Sequence, residues 1–124
     1  MNAARTITLP TEDYGDVTLT EPAWCAGHAD HRPDTYRVDL AHAGPVRRLT
    51  HNGALLWTVL LGQAPFATRP EHRGVGLYVA QEGYNGTLTP TAVYDLAAAF
   101  EAHADQLRDL ADQLAELLGR GEGQ

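Results

Sequence analysis

The segment that decides the fold is Val46–Leu61, VRRLTHNGALLWTVLL, in which the pair Asn52-Gly53 separates two runs that contain apolar residues. Both central residues of a type I′ turn need positive φ, which Asn and Gly tolerate, so this pair predicts a β-hairpin. The second run, Ala54–Leu61, is apolar on both faces and therefore indicates a central strand. Periodicity alone leaves a short buried helix open for this run.

Shorter alternating segments on either side of this hairpin predict further strands. We expect a first hairpin from 6–9 and 17–20, joined by a turn of polar residues, a strand at 36–40 and a last strand at 75–80. Residues 21–34 contain Pro and Gly but no apolar periodicity, so this segment is predicted to be a loop.

The C-terminal segment predicts one long helix. Thr89 can cap the free N–H groups of a first turn, Pro90 suits the first helical position, and no helix breaker follows until Gly119. About 29 helical residues would extend about 43 Å. We therefore predict an α+β fold, with a small antiparallel sheet of five or six strands followed by this helix. We expect 1–124 to be a single domain, with a β-rich part at 1–88, a metal-binding loop at 24–42 and the helix at 89–118.

The apolar positions of the helix are spaced alternately by three and four residues, which is typical of a heptad seam. A stripe of this kind packs on the sheet of its own subunit in an ordinary amphipathic helix. This helix is longer than the body of a 124-residue domain, so its last three turns are expected to project with their leucines exposed. Self-association would cover them, so we predict a homodimer formed through Val93, Leu96, Phe100, Leu107, Leu110, Leu114 and Leu117.

Composition excludes several kinds of chemistry. The chain has 9 basic and 16 acidic residues, a net charge of −7, which argues against nonspecific binding to nucleic acid or to an anionic membrane. It contains neither serine nor lysine, which excludes serine hydrolases and lysine Schiff-base enzymes. A single cysteine, Cys25, cannot form an internal disulfide. The N-terminus lacks a signal-peptide pattern, and the longest apolar run is far shorter than the ~20 residues that span a bilayer, so we expect a cytoplasmic protein.

A cluster of metal-binding residue types lies between positions 25 and 42. Cys25 and His28 have the two-residue gap that lets loop side chains converge on one ion, and His31 repeats that gap. His42 would arrive from the next strand, and Asp39 could be a fourth ligand or could orient an imidazole. One thiolate with two or three imidazoles suits zinc. The alternative is a small buried thiol with unrelated loop histidines, because this spacing is less specific than a double CxxC pattern.

Two motifs in this cluster resemble a known family. WCAGH at 24–28 has the form WCxGH, DLAHAGP at 39–45 has the form DxxHxGP, and the C-terminal helix is entered by Leu88-Thr89-Pro90. Over most of the chain this pattern is similar to a family of small actinobacterial, Streptomyces-type proteins of unknown function. The resemblance implies that Cys25, His28, Asp39 and His42 belong to one site, and it does not extend to His31. It implies no activity.

Three functions fit these observations. We favour a non-enzymatic, homodimeric, zinc-stabilised accessory or regulatory module that binds another protein through its sheet or helix. The alternative is a small zinc-dependent hydrolase in which Cys25, His28 and His42 leave a position for water and Asp39 or Asp30 acts as the base. A nucleic-acid-binding regulator is the third, against which the net charge of −7 and the lack of a helix-turn-helix pattern both count.

Overall fold

The computed structural model describes residues 5–120, so the first four and last four residues of the predicted domain lie outside the described part. It confirms the predicted α+β class, with antiparallel strands followed by one long helix. The strands form two sheets rather than the single sheet expected. The elements are β1 (Arg5–Thr11), β2 (Gly15–Glu21), β3 (His42–Ala43), β4 (Arg47–His51), β5 (Ala54–Gln63), β6 (Gly76–Gln81) and α1 (Pro90–Gly119), with two short 3₁₀ helices at Arg37–Asp39 and Pro70–His72.

The central position of β5 is confirmed by its pairing on both edges. Val59 of β5 pairs with β4 on one edge and with β6 on the other. Gly62 pairs with Ala43 of β3 and with Gly76 of β6, so β3 continues the edge that β4 begins. Buried and half-buried residues lie on both faces of this strand, which explains why its sequence is largely apolar.

Both predicted hairpins are present. Asn52 and Gly53 have φ of 50° and 80°, the positive values that their turn between β4 and β5 requires. The first hairpin, β1–β2, pairs Thr11 with Gly15 at its turn and Arg5 with Glu21 at its open end. Within the described chain, β1 and β2 pack mainly against each other. Neither has an extensive contact with another described strand or with the helix.

The predicted strand at 36–40 is wrong, because this segment contains a 3₁₀ helix at Arg37–Asp39. The N–H of Asp39 donates to the carbonyl of Tyr36, so these backbone groups bond locally instead of across a sheet. The alternation of apolar residues is misleading here, since Tyr36 and Val38 are exposed and only Leu40 is buried. Arg37 instead fixes the segment to the first hairpin, because its backbone N–H donates to Asp13 and its guanidinium stacks on the Tyr14 ring.

The helix begins and ends within one residue of the predicted 89–118. The Thr89 side chain accepts a hydrogen bond from the Ala92 N–H at 3.3 Å, Pro90 opens the first turn, and Gly119 is the last helical residue. Across residues 5–120, no helix combines the length and the apolar character that crossing a membrane requires.

The expected projection of the last helical turns is wrong. Leu110 and Leu117 are buried, at 3% and 6% exposure, and pack against Val59 and Leu61 of β5. Leu107 and Leu114 are partly buried against the same core. The exposed part is the first half of the helix, where Val93, Tyr94 and Phe100 are 50%, 78% and 43% exposed. The second half of the apolar seam therefore packs on the sheet. The heptad spacing identifies the seam but does not determine which half of it the sheet covers.

This packing makes a direct prediction for two leucines of the last turns. Leu110→Ala removes a side chain from the core and is expected to lower the free energy of unfolding by about 2–5 kcal/mol. Leu118→Ala is the matched control, since Leu118 is 42% exposed and its truncation leaves no cavity. Chemical denaturation of both variants measures the difference, and equal losses would contradict the observed orientation of the helix.

Candidate metal centre

Three of the predicted ligands converge in the structure. The ligand atoms of Cys25, His28 and His42 all lie within 4.8 Å of one another. His28 Nε2 is the common neighbour, at 3.6 Å from Cys25 Sγ and 3.3 Å from His42 Nδ1. His42 is 2% exposed, and the other two side chains are half-buried. The cluster thus has one side inside the protein and one side accessible from solvent.

Backbone hydrogen bonds connect the loop to the sheet at this point. The Ala26 N–H donates to the carbonyl of Ala43 in β3 at 2.8 Å, and the Gly44 N–H donates to Leu61 of β5 at 2.8 Å. His42 belongs to β3 and pairs with Gln63. The loop residues and His42 are therefore placed by the same short strand, which brings together ligands that are far apart in sequence.

Gly27 has a conformational role in the WCxGH motif. Its φ is +104°, a value that residues with a Cβ rarely adopt, and it turns the chain between Cys25 and His28. In this conformation the Gly27 N–H points at Cys25 Sγ from 3.4 Å. A backbone N–H directed at sulfur stabilises a thiolate, which is the form of cysteine that binds a metal.

The tryptophan of the same motif anchors the loop to the core. Trp24 packs against the hydrophobic core, which includes Leu61 and Leu110. Its ring also lies edge-on to the His42 ring, with the centroids 6.3 Å apart. Trp24 therefore shields the inner side of the cluster, while Cys25 and His28 form the outer side.

The electrostatics of the cluster favour a neutral His42 imidazole and a protonated Cys25 thiol. Burial and the neighbouring His28 lower the pKa of His42, which leaves a neutral imidazole with a lone pair available. Burial raises the pKa of the Cys25 thiol, the Gly27 N–H opposes this rise, and the nearby Glu21 carboxylate adds to it. A metal ion would therefore displace a proton from Cys25 when it binds.

Two other predicted ligands lie outside this group. The His31 ring donates from Nε2 to the carbonyl of Pro10 at 2.8 Å, which links the loop to β1. Asp39 is exposed in the 3₁₀ helix at Arg37–Asp39. Neither side chain belongs to the group that the structure assembles. Asp39 lies on a turn because the segment that was expected to be a strand is a 3₁₀ helix.

A residue that sequence reasoning missed, Glu21, lies beside the cluster. Its Oε1 is 3.6 Å from His28 Nε2, and its Oε2 accepts a hydrogen bond from Arg5 Nε at 2.6 Å. The hydrogen bond from Arg5 lowers the pKa of Glu21, against the opposing effect of burial. A signal was present in the sequence, because Val17, Leu19 and Glu21 share one face of β2. A carboxylate at the next inward-facing position of a strand is expected to be buried, and a buried carboxylate needs a partner such as a cation or a hydrogen-bond donor.

Fold and site together define a small α+β domain with a Cys/His/His group able to hold a metal ion. The chain matches the model of a domain of unknown function, DUF6907, over residues 6–116. It therefore belongs to this family. No curated protein and no solved structure matches the chain.

The conformation of Gly27 leads to a prediction for the loop. Gly27→Ala is expected to lower the free energy of unfolding by about 1–2 kcal/mol, because φ of +104° strains any residue that has a Cβ. Gly83→Ala serves as the control, since an added Cβ there meets open space and the backbone lacks positive φ. Denaturation of both variants tests this, and a Gly27→Ala variant as stable as the control would contradict the assigned role.

Proposed function

We propose that this domain is a non-enzymatic, zinc-stabilised module of accessory or regulatory function. In this proposal Cys25, His28 and His42 are zinc ligands, and the ion fixes the loop on β3. The observation that carries the proposal is the set of distances around His28 Nε2, which is the common neighbour of the other two ligand atoms.

Two of the three distances among these ligand atoms agree with the edges of a tetrahedral zinc site, and the third, between Cys25 Sγ and His42, is within 4.8 Å. Bond lengths of about 2.0–2.1 Å for Zn–N and about 2.3 Å for Zn–S give edges of about 3.4 Å between two nitrogens and about 3.6 Å between nitrogen and sulfur. The corresponding distances are 3.3 Å from His28 Nε2 to His42 Nδ1 and 3.6 Å from His28 Nε2 to Cys25 Sγ. One thiolate and two imidazoles are also a ligand set that favours zinc.

Hydrogen bonding alone explains the cluster less well. A neutral imidazole has one N–H, so His28 Nε2 can donate to one acceptor at most. Three groups with lone pairs lie within 3.6 Å of this nitrogen, namely Cys25 Sγ, His42 Nδ1 and Glu21 Oε1. The contacts of His28 Nε2 to His42 Nδ1 and Glu21 Oε1, at 3.3 and 3.6 Å, are also longer than the ~2.9–3.0 Å typical of a hydrogen bond from nitrogen. The Cys25 thiol can supply one further donor, whereas a cation at their centre satisfies all three groups at once.

Metal analysis of the purified protein is the first test. We expect about one zinc ion per chain in the wild type. Cys25→Ala and His42→Ala are expected to lose most of the zinc and to unfold at lower temperature, because binding energy at a structural site is also folding energy. Zinc content and thermal unfolding measure both effects.

His72→Ala and Asp39→Asn are the controls, because both side chains are exposed and lie outside the group. They should retain zinc and stability. Wild-type protein that contains no zinc and takes up none when it is added would refute the proposal.

We also propose that the module is a homodimer, formed through the exposed first half of the helix. Support comes from Val93 and Phe100, which belong to the heptad seam and are 50% and 43% exposed. Leu107, Leu110, Leu114 and Leu117 pack on the core of their own chain, so the proposed dimer surface is shorter than the seam that the sequence predicts. For a further protein partner we propose the edge strand β6, where Tyr78 and Val79 are exposed.

Light scattering of charge variants tests the dimer. The wild type should have the mass of two chains at micromolar concentration, and Phe100→Asp should have the mass of one, because a carboxylate in an apolar contact must be desolvated. Ala98→Asp places the same charge on an exposed position outside the seam and should remain dimeric. A wild type with the mass of one chain would refute this part of the proposal.

A zinc-dependent hydrolase is the second candidate, and one observation favours it. Glu21 is a buried carboxylate beside the cluster, and such a group can act as a general base on a metal-bound water. The two candidates differ in coordination, because a structural site is closed by four protein ligands and a catalytic site keeps an open position. The role of Glu21 therefore decides between them.

A further inference from the structure

Glu21 carries a polar atom with an unusual environment. The residue is 3% exposed, and its Oε1 is fully buried without a hydrogen-bond partner. The other oxygen, Oε2, is held by Arg5, whose own side chain extends into solvent at 74% exposure. Arg5 thus fixes Oε2 from the solvent side, while Oε1 is buried without a partner.

An ionised oxygen left in this state is costly. Buried polar groups in native proteins are almost always paired, and an unpaired buried charge is more costly still. Two groups of the cluster adjoin this carboxylate: His28 Nε2 lies 3.6 Å from Glu21 Oε1, and the Cys25 thiol interacts with the same side chain. That nitrogen is already the common neighbour of Cys25 Sγ and His42 Nδ1. Glu21 Oε1 therefore lacks a partner at the edge of the cluster, beside His28 and outside the group whose ligand atoms all lie within 4.8 Å of one another.

We propose that Glu21 Oε1 is the fourth ligand of the metal ion, so that the site is closed by Glu21, Cys25, His28 and His42. This inference rests on the proposed function, since it assigns a further ligand to the same ion. Zinc–oxygen bonds of about 2.0–2.2 Å require an edge of about 3.3–3.5 Å to a ligating nitrogen, close to the 3.6 Å observed between Glu21 Oε1 and His28 Nε2.

Charge balance favours the same assignment. A divalent ion with one thiolate, one carboxylate and two neutral imidazoles has no net charge, which is the form of lowest solvation cost in a buried site. Arg5 acts as a positioning residue, because its bond to Oε2 leaves Oε1 alone free to ligate. Hydrogen bonds of this kind from outside the ligand set orient the ligands of many metal sites.

The assignment gives the ion a structural task. Glu21 is the last residue of β2 in the first hairpin, while His42 belongs to β3 in the second sheet. Cys25 and His28 lie in the loop between them. In the described chain this hairpin has no extensive contact with the other strands or the helix. An ion bound by all four residues would therefore join the two sheets, and it would leave no position for a reacting water.

Zinc affinity tests the ligand directly. Competition with a chromophoric chelator should show that Glu21→Gln binds zinc about 10–100-fold more weakly than the wild type, or more weakly still. Glu12→Gln is the matched control, because Glu12 is exposed in the hairpin turn and should leave affinity unchanged. If the wild type binds zinc and Glu21→Gln binds it equally well, Glu21 is not a ligand although the zinc proposal stands. If the wild type binds no zinc, both proposals fail.

A second measurement uses only the wild type, so it does not depend on whether the Glu21→Gln variant folds. Wild-type protein in which Co²⁺ replaces zinc should have the intense visible absorption of a tetrahedral site, and added azide should leave the spectrum unchanged. An azide-dependent change of the spectrum would reveal an exchangeable position. That result would overturn the four-ligand assignment and would favour Glu21 as a general base on bound water.

Discussion

The pairing of β5 on both of its edges is the interaction on which the rest of the structure depends. One edge carries β4 and then β3, and the other carries β6. Val59 and Leu61 of the same strand form the surface on which the second half of the helix packs. Because β3 is placed by its bonds to Gly62 and Gln63, His42 has a fixed position relative to the core. The candidate metal centre is built around this fixed residue.

The loop that supplies the other ligands has little apolar surface of its own, so its conformation depends on attachments at a few points. Trp24 enters the core, Ala26 bonds to β3, and His31 bonds to β1. Gly27 provides the left-handed backbone that turns Cys25 and His28 toward each other. A small domain can bury only a limited apolar area. A metal ion that connects this loop, the first hairpin and the second sheet would supply cohesion that apolar packing does not.

The sequence could predict those elements whose signals are local. The Asn52-Gly53 turn, the apolar β5 and the Thr89-Pro90 helix start each depend on residues close together in the chain, and all three are confirmed. The segment at 36–40 has strand-like alternation but lacks a partner strand, and its backbone therefore closes into a 3₁₀ helix. The leucine seam illustrates the same limit, since spacing identifies an apolar stripe but not the surface that covers it.

For the candidate site, the sequence by itself determined the chemistry: one thiol and several imidazoles between positions 25 and 42, in a chain without serine or lysine. The family resemblance of the WCxGH and DxxHxGP motifs also implied one group of Cys25, His28, Asp39 and His42, of which the structure brings together all but Asp39. Only the tertiary structure decided that His31 and Asp39 lie apart from this group and that Glu21 lies beside it. The physical reason is that the neighbours of a side chain depend on how distant strands and loops pack, and the pairing of distant strands is not encoded in any one stretch of sequence.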